Sequence, residues 1–228
     1  MQKITLSKKV SELLNISRNQ AEDIIKRKKI SLNNNIEYRP YLKIEENDIV
    51  ELSDPKQKKF KILLFHKPKG CITSKKDELN RPTIFDYIPK KFHHFHYIGR
   101  LDFNSEGLLI LTENVGFKRF MELPKSKITR KYLVNVQGAV DQNKIKSLNH
   151  KIYGSITYQK PLVKLVHTNK SNHVLSFEMS EGKNREIRNI CKIFNLRVEK
   201  LKRISFGKFI MKSIPYGGYR EMEINENY

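Results

Sequence analysis

The run Ser53-Asp54-Pro55-Lys56-Gln57-Lys58-Lys59 offers nothing to a hydrophobic core, and its proline removes a backbone donor, so neither a helix nor a central strand can pass through it. It divides the chain into a segment 1–52, a linker 53–59 and a larger segment 60–228. In a chain of 228 residues this reads as a small domain followed by a large one. The two parts also differ in charge. Residues 1–52 hold ten Lys and Arg against eight Asp and Glu, so 19 of the net +21 lies beyond residue 52.

Before the break, Val10, Leu13 and Leu14 stand at helical spacing. A second helix opens at Ser17, where Gln20 completes a Ser-x-x-Gln capping box and Ala21, Ile24 and Ile25 supply the inner face. Lys26-Arg27-Lys28-Lys29 sets cations at its C-terminal end, where the helix dipole favours them; taken alone this is equally a solvated helix end. Ile30-Ser31-Leu32, a turn at Asn33-Asn34-Asn35 and a strand over 49–52 follow. Beyond the break, strands fit 60–66, 95–98, 108–111, 132–136, 162–167, 174–179 and 196–204. Helices fit 114–121, 141–148 with Asp141 as cap, and 184–194, where Ile187, Ile190, Cys191 and Phe194 share one face. The expected fold class is α+β: two helices plus short strands in the small domain, and a mixed, mainly antiparallel sheet flanked by helices in the large one.

A net charge of +21 asks for a polyanionic partner. Nucleic acid fits better than a membrane surface, because the cations are dispersed among Tyr, Phe and His and are not gathered on one amphipathic helix. Cys71 and Cys191 stand far apart with no partner at metal spacing, which suits a reducing cytoplasm. No window approaches the ~18 apolar residues of a membrane span, and residues 1–10 lack the apolar stretch of an export signal, so neither export nor anchoring is expected. His93-His94-Phe95-His96 lacks further ligands at suitable spacing, and no metal is expected there.

The stretch Tyr97-Ile98-Gly99-Arg100-Leu101-Asp102 carries the chemistry: an apolar strand, a glycine hinge, a cation, an apolar plug and a carboxylate, followed by Ser105-Glu106-Gly107 and a second apolar strand. A carboxylate between two buried strands is a positioned one. It can serve as nucleophile, general base or metal ligand, and the lack of a second carboxylate at glycosidase or metal spacing favours the first two. On spacing alone a structural Arg-Asp pair in a turn is the more frequent outcome.

Residues 1–52 resemble the S4 RNA-binding module in Ser17-Arg18, Ala21, Ile24-Ile25, the basic helix end and Ile30-Ser31-Leu32-Asn33. They depart from it at Lys28, Lys29, Asn34 and Asn35, where glycines are usual, although asparagine tolerates positive φ. The likeness implies RNA contacts by Arg18, Lys26 and Arg27.

The larger segment carries, in order, Lys67-Pro68-Lys69-Gly70, Arg81-Pro82-Thr83-Ile84-Phe85-Asp86, Gly99-Arg100-Leu101-Asp102 with Ser105 and Gly107-Leu108-Leu109, Lys131-Tyr132, and Glu181-Gly182-Lys183-Asn184-Arg185-Glu186-Ile187-Arg188. In these blocks it is similar to the RsuA-type family of ribosomal RNA pseudouridine synthases. The Arg-Pro-Thr block and the closing Pro215-Tyr216-Gly217-Gly218-Tyr219-Arg220 look most like the large-subunit synthase B branch.

The resemblance implies that Asp102 attacks the target uridine so that uracil can leave through N1, turn and reattach through C5. Attack on the uracil ring, attack on the ribose and assisted loss of uracil are all compatible with it. Tyr132 would stack on the flipped base and handle the C5 proton, and Arg188 would pair with Asp102 and keep it ionised. Arg100 would help displace the base; Lys67, Lys69, Lys125, Lys127, Arg130, Lys131, Lys183 and Arg185 would meet phosphates or RNA. On the expected helix Arg185, Arg188 and Lys192 would lie opposite the apolar face. Glu186 and Asn189 stand where Gln and Arg are more usual elsewhere in the family. No cofactor is implied, since the isomerisation is neither redox nor hydrolysis. The implied partner of this bacterial-type monomer is ribosomal RNA, 23S under the branch likeness and then at one site in the peptidyl-transferase region, or a ribosome assembly intermediate. Three rivals compete: an RNA-binding protein that acts through the S4-like segment alone; a methyltransferase, for which no G-x-G loop follows a strand; and a DNA-binding regulator, which would want a dimeric reading helix and half-site symmetry that nothing in the sequence suggests.

Overall fold

The computed structural model describes residues 3–33, 35–52, 59–150, 157–169 and 172–225. The chain forms two units that divide between Lys59 and Phe60. Residues 53–58 of the expected linker and Asn34 of the expected turn lie outside the described residues, and Lys59 already begins a strand.

In the first unit β1 (Ile4–Thr5) leads into α1 (Leu6–Leu14), whose Lys8 amide is capped by the Thr5 hydroxyl and which stops at Asn15 in the left-handed region. In α2 (Arg18–Lys26) the capping box forms: Ser17 and Gln20 exchange bonds between side chain and backbone amide. Then come β2 (Ile30–Leu32), β3 (Asn35–Glu37), β4 (Lys43–Ile44) and β5 (Val50–Leu52); β1 pairs with β4, and β2 lies between β3 and β5. The buried cluster is Leu6, Val10, Ala21, Ile25, Ile30 and Ile44. Leu13, expected inside, is 53% exposed. The buried stripe of α1 runs through Leu6 and Val10, with Leu14 partly buried; Leu13, at i+7 from Leu6, shares their face but stands in the last turn of the helix. Lys28 and Asn33 both take positive φ, 58° and 49°, and Asn33 uses its side chain to bond Asp48 and the Ile49 amide.

The second unit contains β6 (Lys59–Lys67), β7 (His96–Ile98), β8 (Glu106–Thr112), α3 (Val115–Glu122), β9 (Arg130–Gln137), α4 (Gln142–Leu148), β10 (Leu162–Asn169), β11 (Asn172–Met179), α5 (Glu186–Ile193), β12 (Arg197–Phe206), β13 (Phe209–Ile210) and β14 (Tyr219–Asn225). Among the described residues they build one nine-stranded sheet, ordered β10-β11-β9-β12-β8-β6-β14, with β7 on β8 and β13 on β12. It is mainly antiparallel, with β12 and β8 parallel. The unbroken apolar runs of β6 and β8 follow from burial on both faces. Phe60, Ile62, Leu64, Leu108 and Ile110 pack into one cluster and Leu63, Phe65, Leu109 and Leu111 into another. A third cluster covers β9 and β11 with Ile187, Ile190 and Cys191 of α5.

The parallel junction sets Arg203 beside Gly107, which has φ 116°. A Cβ on Gly107 would stand 2.3 Å from the Arg203 carbonyl oxygen and 2.5 Å from its nitrogen, so glycine is required by approach as well as by conformation. Gly107→Ala is expected to destabilise the second unit by about 3 kcal/mol or more, measured by denaturant unfolding. A change under about 0.5 kcal/mol, the scale of ordinary surface substitutions, would show that the strands part without penalty.

Candidate active site

The loop between β7 and β8 presents Asp102, and its backbone is tied at nearly every residue. The Gly99 amide donates to Glu122 Oε1 at 2.8 Å. Leu101 exchanges two bonds with the buried Thr73 hydroxyl, at 2.9 and 3.2 Å. The Gly70 amide donates to the Phe103 carbonyl, and the Ser105 amide to that of Asp102. Leu101 plugs the core at 7% exposure, while Asp102 stays half-buried with its side chain reachable.

Beneath the loop lies Lys67, fully buried at 0% exposure. Its ammonium donates to the carbonyls of Pro68 at 3.0 Å, Asp102 at 3.1 Å and Ser105 at 3.0 Å, which uses all three of its protons. Burial pushes its pKa below the usual lysine range, opposed by Cys71 and Asp102. The expectation that Lys67 meets RNA phosphate is therefore corrected: the last residue of a strand covered on both faces points its amine into the loop. Lys69 is half-buried, and its amide donates to the Tyr216 hydroxyl.

A cavity of about 460 Å³ opens over Asp102, within the range of ligand pockets. Arg100, Asp102, Tyr132 and Arg185 all line it. Arg130 and Arg203 line it too, each with its guanidinium over the Phe206 ring, at 4.5 and 5.0 Å. Arg130 further donates to the Ile128 and Ser180 carbonyls, and the buried Arg203 donates through Nε to the Leu108 carbonyl at 2.7 Å. Arg203 carries no motif; its place is visible only once β12 is known to lie against β8.

The cation paired with the Asp102 carboxylate is not the expected one. Arg185 Nη1 stands 3.8 Å from Asp102 Oδ2, whereas Arg188 Nη2 donates to the Asn104 carbonyl at 3.0 Å. The reason is backbone geometry. Arg185 takes φ 52° and lies ahead of α5, not on it, so the expected i, i+3, i+7 stripe does not include it. Arg188, in the first turn of α5, braces the loop two residues after Asp102. Burial and the neighbouring Arg185 lower the Arg188 pKa, and Asp102 acts in the opposite sense.

The remaining expected contacts are dispersed. Lys131 is salt-bridged at 2.9 Å to Glu178, its cross-strand partner, and adjoins Tyr132 on a strand whose side chains alternate, so it faces away from the cavity. Lys183 lines the cavity and binds Glu181 at 3.1 Å. Lys125 and Lys127 are exposed beyond α3. Arg18, Lys26 and Arg27 are exposed on the first unit, the last two paired with Glu22 and Asp23. Of the histidine run, His93 Nε2 meets the Ile88 carbonyl and His94 packs edge-on against Phe95.

Lys67→Met keeps the stem and removes the ammonium, taking a charged donor away from three carbonyls at once. We expect a loss of about 3 kcal/mol in unfolding free energy together with loss of activity, because the loop that presents Asp102 loosens. Full activity and stability in this variant would show that the loop needs no such support.

Residues 61–192 match the family model described as RNA pseudouridylate synthase. Over 223 residues the chain is 34% identical to a Rickettsia felis protein described as an uncharacterized RNA pseudouridine synthase, with 95% of this chain and 96% of that one covered. It is 28% identical over 226 residues to the ribosomal large subunit pseudouridine synthase B of Salmonella typhimurium, covering 93% of this chain and 77% of that one. A solved pseudouridylate synthase structure shares the fold, with a TM-score of 0.63, 23% identity and 96% of each chain covered. With a family match over more than half its length and a relative of that identity along almost all of it, the chain belongs to the RNA pseudouridylate synthase family.

Proposed function

We propose that this protein converts one uridine of ribosomal RNA, in the large-subunit 23S RNA, to pseudouridine, with Asp102 as the nucleophile. Isomerisation of RNA uridine follows from the family; the ribosomal target rests on the likeness to the large-subunit enzyme and on the net +21 charge. The single observation that carries the chemical reading is a reachable carboxylate, on a loop fixed from below, sharing one cavity with an aromatic face and several guanidinium groups.

The reaction breaks the bond from C1′ to N1, forms one from C1′ to C5, releases the C5 proton and leaves one on N1. Nothing is oxidised and no group is added. A carboxylate that attacks the ring or the sugar, or that eases departure of uracil, needs to be charged and beside the glycosidic bond; the Arg185 guanidinium stands 3.8 Å from the Asp102 carboxylate. Tyr132 supplies a flat face for the extruded base and a phenol within the cavity, suited to proton transfer at C5. Arg100, exposed at the rim, suits the space vacated in the RNA. Arg188 acts on this reading through the loop and not through a fork on the carboxylate.

The test is release of tritium from ribosomal RNA labelled at C5 of uridine. Asp102→Asn and Asp102→Ala are expected to fall below about one-thousandth of wild-type release while RNA binding survives. Undiminished release by either variant would overturn the assignment of the nucleophile. For the first unit we propose S4-like capture of RNA through Arg18, Lys26 and Arg27. Changing all three to Gln is expected to weaken RNA binding and to make its salt dependence shallower by up to about three in log–log slope, with the single-turnover rate of bound RNA retained. Unchanged affinity would assign capture to the second unit alone.

A further inference from the structure

The wall of the cavity opposite in sequence to Asp102 holds two carboxyl groups, Glu181 and Glu186, that the isomerisation has not used. Glu186 is 4% exposed at the start of α5, and its side chain lies within hydrogen-bond reach of Glu181. Its Oε2 accepts from the Lys183 amide at 2.8 Å, while its buried Oε1 has no donor among the described residues. Glu181 is fully engaged: Oε1 accepts from the Gln159 amide at 2.6 Å and Oε2 pairs with Lys183 Nζ at 3.1 Å. Two carboxyl groups in contact cannot both be charged without repulsion. One proton between them removes the repulsion and also satisfies the orphaned oxygen of Glu186.

Between these glutamates run Gly182, Lys183, Asn184 and Arg185, and Arg185 is the residue beside Asp102. Both ends of that segment are thus tied to the carboxyl pair. We infer that Glu181 and Glu186 share a single proton, and that this proton holds the segment in the fold that sets Arg185 against Asp102, which makes Glu186 a positioning residue. The inference rests on the reading of Asp102 as the reactive carboxylate.

The chemistry of the surroundings agrees. Burial, reinforced by the neighbouring Glu181, pushes the Glu186 carboxyl up to about 7. Burial also opposes the charge of Glu181, but the Gln159 amide, Glu186 and Lys183 outweigh it and hold Glu181 below the usual value. The proton therefore sits on Glu186. The charged groups facing the pair are Lys183 on the same segment and Arg130 from β9. As pH rises through 7, Glu186 ionises, the two carboxylates repel, and the segment loosens.

With the full chain and 5-tritiated ribosomal RNA, wild-type kcat is expected to fall about tenfold between pH 6 and pH 8, since a group with a midpoint near 7 keeps its proton in only about one molecule in ten at pH 8. RNA affinity stays constant over that range, because a positioning defect enters kcat. Glu186→Gln keeps the shape and the donor and cannot ionise, so it removes the fall; Glu186→Ala lowers kcat at every pH. An equal fall in Glu186→Gln, or no fall in wild type, overturns the proposal. A second readout needs no turnover: by NMR of the full chain, the Glu186 carboxyl carbon titrates near pH 7, the Arg185 Nε signal moves with the same midpoint, and Glu186→Gln abolishes that movement. A Glu186 midpoint below pH 5, or an Arg185 signal that does not follow it, overturns the proposal even if no activity is found. Inactivity at all pH values with the NMR coupling intact counts instead against the uridine-isomerase reading of the site.

Discussion

A lysine ammonium with no water around it has to find three acceptors, and in this fold Lys67 finds them in the backbone of the loop it supports. The carbonyls of Pro68, Asp102 and Ser105 converge on one buried nitrogen, so the end of β6, the reactive loop and the start of β8 are held at one point. Charge-assisted bonds of this kind, kept dry, are strong and unforgiving of removal. They explain how a half-exposed aspartate on a loop can keep one position: the backbone on which it rides is fixed from below, by Thr73 at the side and by Glu122 at the glycine hinge.

The same loop lies among cations. Arg185 stands beside the Asp102 carboxylate, Arg188 holds the Asn104 carbonyl, and Arg130 and Arg203 stack on Phe206 in the cavity. Their contributions differ with their surroundings. Arg188 and Arg203 are spent on backbone carbonyls and act as supports, whereas Arg185 is more than half exposed and can respond to substrate or to its own segment. A site that takes up RNA is served by both kinds, and the excess positive charge of the second unit supplies them.

Much of the frame is legible in the sequence where local chemistry decides. Ser17 and Gln20 announce α2 because both partners of the capping box lie within one turn, and Asp141 announces α4 in the same way. The apolar runs of β6 and β8 read as buried strands, and Asp102 stands out through its motif. Partners distant in sequence defeat such reading. Lys67 looks like any lysine of a basic surface until β8 and the loop close over it. Arg185 takes the place expected of Arg188 because a single left-handed residue precedes α5, which the apolar spacing of the helix does not reveal. β14 goes unread because only Met222 and Ile224 among its seven residues pack on the core as apolar side chains, on a strand at the edge of the sheet.

The central claim is that the Asp102 cavity modifies one uridine in large-subunit ribosomal RNA. The most direct measurement is a complete map of pseudouridines in ribosomal RNA from cells with the gene intact, deleted, and restored either as wild type or as Asp102→Asn. The account predicts that a single large-subunit site disappears on deletion, returns with the wild-type gene and stays absent with the variant. An unchanged map on deletion, or a site restored by Asp102→Asn, would contradict it.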